Sequence, residues 1–152
     1  MKDSIILLFL QLLFSNCSAT NLVEKAVYVS SQYYQHHFAT TVVWSDNESE
    51  HVDEFLRTFP GSVVLIPLVN GTDDAIRIND TGFEQTIFFA TSFHDYEKFI
   101  KLINEIIRYP ILFILVIETS VETPEELRKF IKVTWDNDQG DIVIISADNT
   151  NE

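Results

Sequence analysis

Three Asn-x-Ser/Thr triplets are the side chains most plainly arranged for chemistry: Asn47-Glu48-Ser49, Asn70-Gly71-Thr72 and Asn79-Asp80-Thr81. Each presents the acceptor pattern for an N-linked glycan, and each falls in a stretch that reads as loop, where an oligosaccharide can be accommodated. Asn47, Asn70 and Asn79 are therefore the expected modification sites.

The other candidates point to no reaction. His36-His37, His51 and His94 fit no recognised metal-ligand spacing. Neighbours on a helix point about 100° apart, so His36 and His37, read as the end of a first helix, divide between two faces and are expected to be partly exposed polar residues. His94 falls in the first turn of a capped helix and reads as surface, not as a general base. A serine hydrolase of the α/β kind needs a Gly-x-Ser-x-Gly elbow, and the chain has none. Asp73-Asp74 reads as a turn, and Glu125-Glu126 as a first helical turn whose dipole already accounts for the charge. Gly61, Gly71, Gly82 and Gly140 are the only glycines. They are scattered at turns, so no glycine-rich loop brings backbone N–H groups to a phosphate. No catalytic residue, metal ligand or cofactor is expected. A small ligand, if bound, would lie beyond the carboxyl ends of the strands, at loops 45–49, 91–94 and 118–123.

The elements that would position such loops follow from periodicity. Leu22, Ala26, Val29, Tyr33 and His37 recur at helical spacing behind an Asn21-x-x-Glu24 cap. Thr40 to Trp44 reads as a short buried strand. Ser49 caps a helix with the stripe Val52, Phe55, Leu56 and Phe59, halted by Pro60-Gly61. Ser62 to Val69 is nearly all apolar and predicts a strand covered on both faces. The polar stretch 72–84 offers at most a minor strand at Ala75 to Ile78. Thr86 to Ala90 is a buried strand, and Ser92-x-x-Asp95 caps a helix carrying Phe93, Tyr96, Phe99, Ile100, Ile103, Ile106 and Ile107. Ile111 to Ile117 is again strand. Thr123, Pro124 and Glu126 open a helix with Leu127, Phe130, Ile131 and Trp135 on its packed face, and Asp141 to Ser146 forms the last strand. The aromatic residues Phe88, Phe89, Phe93, Tyr96, Phe99, Phe113, Phe130 and Trp135 read as core, not as a ligand cage. Apolar strands alternating with amphipathic helices predict an α/β fold, a three-layer Rossmann-like sandwich with a mostly parallel sheet and right-handed crossovers. The sequence continues only six residues past the last strand, without the helix that would cover that strand's neighbour, so a lobe or a fragment of a longer chain is expected.

At the amino terminus Lys2 precedes an apolar run from Ile5 to Phe14 and a small-residue tail, Cys17-Ser18-Ala19. Residues 1–19 read as a secretory signal peptide, since roughly 10 apolar residues are too few for a bilayer core that needs about 20. Residues 20–152 then form one extracellular domain, with no membrane span of its own. Asn16 and the lone Cys17 leave with the leader, so the mature domain has no disulfide and relies on packing. Its 9 basic and 22 acidic residues carry a net charge of −13, the wrong sign for nucleic acid or an anionic membrane surface.

The segments TIFFATSFHDYEKFIKLINEII, ILFILVIE and TPEELRKFIKVTWDND running into DIVIISAD, with Thr86 to Ser146 as the similar part, resemble the extracellular amino-terminal region of divergent insect ionotropic receptors, relatives of ionotropic glutamate receptors. Trp135 and Asp141 to Ser146 match that arrangement best. The resemblance implies one lobe of a periplasmic-binding-protein-like domain in a chemosensory cation channel whose pore and ligand-binding lobes lie outside this sequence. It also implies a non-enzymatic role, with other receptor subunits or the remainder of a longer chain as partners, at the extracellular side of the plasma membrane. The alternatives are a free secreted α/β binding module without catalytic activity, and a secreted hydrolase.

Overall fold

Five apolar strands and four amphipathic helices alternate along the structure, a computed structural model that describes residues 22–45, 49–68, 84–106, 112–118, 124–137 and 142–146. In chain order they are α1 (Leu22–Tyr33), β1 (Thr40–Trp44), α2 (Glu50–Thr58), β2 (Val63–Pro67), β3 (Gln85–Ala90), α3 (Phe93–Ile106), β4 (Leu112–Ile117), α4 (Pro124–Asp136) and β5 (Ile142–Ser146). The leader at residues 1–19 and the minor strand expected at 75–78 lie outside the described residues.

All the strand pairs are parallel, and the sheet order is β2-β1-β3-β4-β5. The expected sandwich is therefore present, with a sheet that is wholly rather than mostly parallel. Register is set so that Val42 lies beside Leu65 and Ile87, and Ile87 beside Ile114. From β1 the chain steps to one side to reach β2, and from β3 it steps the other way to β4 and β5. Right-handed crossovers taken in opposite directions place their helices on opposite faces. Accordingly α2 packs on one face through Val52 and Phe55, and α3 and α4 pack on the other through Tyr96, Phe99, Ile103 and Phe130.

Because both faces are covered, successive side chains of a central strand enter two different cores. In β3 Phe88 and Ala90 join the α3/α4 core while Ile87 and Phe89 join the α1/α2 core, and all six residues of the strand are buried. Burying each such phenylalanine stabilises by about 2–3 kcal/mol. Offset ring pairs extend the packing, with Phe88 and Phe99 stacked at 4.4 Å and Phe55 edge-on to Phe89 at 5.5 Å.

Three expectations are corrected. The segment Ser62 to Val69, expected to be covered on both faces, forms the edge strand β2, where Val63 and Leu65 are exposed and only Ile66 is buried. Trp135, expected in the core, is 72% exposed. On α4 the inward line runs Leu127, Phe130 and Thr134, and the next residue is turned by about 100° into solvent. The first helix stops at Tyr33, before His36 and His37, because the Gln85 side chain captures the Gln35 N–H at 2.8 Å and bends the chain toward β1. Both histidines are exposed in the turn that follows. On the face of β4 and β5 opposite α3 and α4 the cover is α1, whose Leu22, Val23, Ala26 and Val29 pack with Ile114, Val116 and Ile145.

Candidate functional site

Hydroxyl, imidazole and carboxylate groups meet at the carboxyl edge of the sheet, where β1, β3 and β4 end. The strand order reverses between β1 and β3, so the chains leaving these parallel neighbours depart to opposite faces, the place where open α/β sheets form a crevice. Local signals in the sequence build both walls. Ser49 caps α2, accepting the Val52 N–H at 3.2 Å. Ser92 caps α3 as the Ser92-x-x-Asp95 signature predicts, accepting the Asp95 N–H at 3.2 Å, and its hydroxyl donates to Asp95 Oδ2 at 2.6 Å.

The floor is Glu118, the residue after β4. Its N–H continues the sheet ladder by donating to the Ala90 carbonyl at 2.9 Å. Alternation along β4 sends its side chain to the α1/α2 face, where Oε1 accepts the Ser49 hydroxyl at 2.6 Å and faces His51 Nδ1 at 3.0 Å. A carboxylate oxygen only accepts, so the proton of this imidazole sits on Nδ1 when the ring is neutral. The side chains are 39% exposed for His51 and 7% for Glu118. A second chain of hydrogen bonds runs along the other wall. Thr91 donates to Asp95 Oδ2 at 3.3 Å, so in the contact between the Ser45 and Thr91 hydroxyls at 3.2 Å it is Ser45 that donates.

This arrangement does not constitute a nucleophile and its base. Ser49 donates its proton to Glu118, and its lone pair receives the Val52 N–H. His51 is oriented by the same carboxylate oxygen and not by the serine, whereas a hydrolytic relay needs the hydroxyl on one imidazole nitrogen and the carboxylate on the other. What the edge offers is an acceptor-rich surface flanked by two helix amino termini, with the protein's own carboxylates, Glu118 and Asp95, at the positions where helix dipoles favour an anion.

Sequence reasoning placed loops 45–49, 91–94 and 118–123 together at this edge, and the structure does bring Ser45, Ser49, Thr91, Ser92 and Glu118 there. His94 is exposed, as expected. His51, which fitted no metal-ligand spacing, has a buried carboxylate for a partner. Glu118 entered the sequence reading only as the start of a loop. The available signal was a charged residue directly after a continuous apolar strand, at the end where open sheets place ligands. The glycan positions Asn47, Asn70 and Asn79 and the pair Asp73-Asp74 lie outside the described residues. Among the described residues, no helix is long and apolar enough to cross a membrane. At the opposite edge a shallow hollow between Ser30, Tyr34, Phe59 and Gln85 is closed by the Gln85 hydrogen bonds and reads as a structural join. Compared with known proteins, the chain matches no family model, no curated protein and no solved structure.

Proposed function

We propose that this chain is a non-enzymatic extracellular α/β domain of an ionotropic-receptor-like chemosensory protein, a scaffold lobe assembling with other receptor subunits or with further segments of its own chain. The observation that carries the reading is the bonding at the carboxyl edge: the one cluster of serine, histidine and carboxylate among the described residues ties hydroxyl and imidazole to a single carboxylate oxygen. That is an arrangement for holding shape, and it leaves the serine without a base. The resemblance of Thr86 to Ser146 to the amino-terminal region of divergent ionotropic receptors supplies the family context, and the apolar leader with three glycan triplets supplies the extracellular setting.

The reading is tested on the transcript and on the secreted product. Sequencing beyond the codon for Glu152 should find three apolar spans of about 20 residues each; a stop codon directly after it would favour the free secreted module. Peptide N-glycosidase should shift the product on a gel, and the triple variant Asn47→Gln, Asn70→Gln, Asn79→Gln should abolish the shift. An unchanged wild-type band, or product retained in the cytosol with its leader, would overturn the extracellular assignment.

A further inference from the structure

β2 pairs with β1 alone, and among the described residues no strand lies along its other side. The ladder fixes which of its backbone groups are committed. The Ser62 carbonyl accepts the Thr40 N–H at 2.8 Å, and the Leu68 N–H donates to the Trp44 carbonyl at 2.8 Å. Successive residues of a strand direct their N–H and C=O groups to alternate sides, so Ser62, Val64, Ile66 and Leu68 face β1 while Val63, Leu65 and Pro67 present theirs to the free side. Alternation of side chains likewise turns Val64 and Ile66 toward the α3/α4 core and leaves Val63 36% and Leu65 47% exposed on the other face. Edge strands are ordinarily guarded against pairing by lysine or other charges, by proline, or by a bulge. Here residues 58–68 include no charged side chain, and Pro67 withholds a donor only at the strand's end.

We propose that this edge pairs with the β2 edge of a second copy, antiparallel about a two-fold axis at Val64, so that two sheets join into one. In that register Val63 stands opposite the partner's Leu65, and Leu65 opposite the partner's Val63. Each is a pair whose members face one another with free N–H and C=O groups and exchange both hydrogen bonds. Pro67, with no N–H to give, falls outside these pairs and still offers its carbonyl. The exposed Val63 and Leu65 side chains of both copies meet on the α1/α2 face as directly opposed apolar pairs, which stabilise a sheet more than small or polar ones. Charge favours this occupant. Two copies of a chain with net charge −13 repel wherever their acidic surfaces meet, and the uncharged strip lets them approach, whereas a strongly charged partner would find nothing along it to pair with. The two-fold contact is also closed, since both copies use the same residues; β2 against β5 of another copy would leave edges free and propagate into a filament. Two short strands bury less than the roughly 1,200–2,000 Å² of a tight complex, so the dimer is a reversible one. This inference is independent of the receptor reading and would hold equally for a free secreted module.

Sedimentation equilibrium of the secreted protein should show a reversible monomer–dimer exchange with a dissociation constant on the order of 10–100 µM, the range suited to a small interface. Leu65→Lys sets a charge beside the axis, and Val63→Pro removes a free-side N–H while leaving the ladder to β1 whole. Each should weaken the dimer by about tenfold or more while its circular dichroism matches wild type. Should both variants fail to fold, Val64→Cys in a Cys17→Ser background decides the matter. The two Val64 positions oppose each other across the axis as a non-hydrogen-bonded pair with Cα atoms about 4.5 Å apart, within disulfide reach. Mild oxidation should therefore give a covalent dimer that a reductant separates, and failure to cross-link would refute the pairing. A mass of one copy up to about 1 mM, growth into larger oligomers, or undiminished dimerisation in folded Leu65→Lys and Val63→Pro would overturn the proposal.

Discussion

Gln85 shows how much of this fold depends on one side chain. It opens β3, is buried, accepts the Gln35 N–H at 2.8 Å, and donates to the carbonyls of Gln35 and Phe38 and to the Thr40 hydroxyl at 3.1, 3.1 and 3.2 Å. These contacts end α1 and deliver the chain into β1. Removing the amide takes this partner from the Gln35 N–H and the Phe38 carbonyl, while the Gln35 carbonyl keeps the Phe38 N–H, so Gln85→Ala should destabilise by about 2–3 kcal/mol in urea denaturation. A loss below about 0.5 kcal/mol would show that water replaces the amide freely. Nothing in the local sequence marked Gln85, since a polar residue before an apolar strand usually reads as loop. The caps were different: Ser49 and Ser92 were legible because a cap and the N–H groups it satisfies lie within three residues of one another.

Among the elements, strand identity was legible and strand environment was not. Ser62 to Val69 has the same apolar character as Ile111 to Ile117, yet β4 lies inside the sheet and β2 at its edge. In β2 the two faces therefore differ: Ile66 enters the α3/α4 core, whereas Leu65 is 47% exposed. Ile66→Ala should cost about 2–5 kcal/mol, and Leu65→Thr under about 1 kcal/mol, both read from denaturation midpoints. Equal losses at the two positions would mean that β2 is covered on its outer face. A similar question of phase misplaced Trp135. Ile131 precedes it at helical spacing and Thr134 directly adjoins it, and only the contact of Thr134 with Tyr96 across the α3/α4 interface shows which line of the helix turns inward.

Across the whole molecule, two buried phenols on opposite faces of the sheet link stability to alkaline pH. Tyr34 lies in the α1/α2 core with its hydroxyl donating to the Thr86 carbonyl, and Tyr96 lies in the α3/α4 core hydrogen-bonded to Thr134. Burial pushes both phenols well above the ordinary tyrosine value, opposed only in part by a backbone hydrogen bond with Ile114 at Tyr34 and by the Thr134 hydrogen bond at Tyr96. Below about pH 10 both groups are protonated whether the chain is folded or unfolded. Above it the unfolded chain releases these protons while the folded chain retains them, so stability is lost as pH rises. Urea denaturation between pH 8 and 11 should show a decline that begins near pH 10 and is shallower in Tyr96→Phe. A flat profile would show that the cores admit phenolate.

By itself the sequence determined the alternation of elements, their caps and the parallel α/β architecture, because periodicity, capping and turn chemistry act between residues a few positions apart. The tertiary structure alone decided which strands became edges, that α1 covers β4 and β5, and that Glu118 meets Ser49 and His51 across nearly seventy residues of chain. Strand order and the packing of helices on the two faces depend on contacts between distant segments. No local pattern encodes which surfaces those contacts bury.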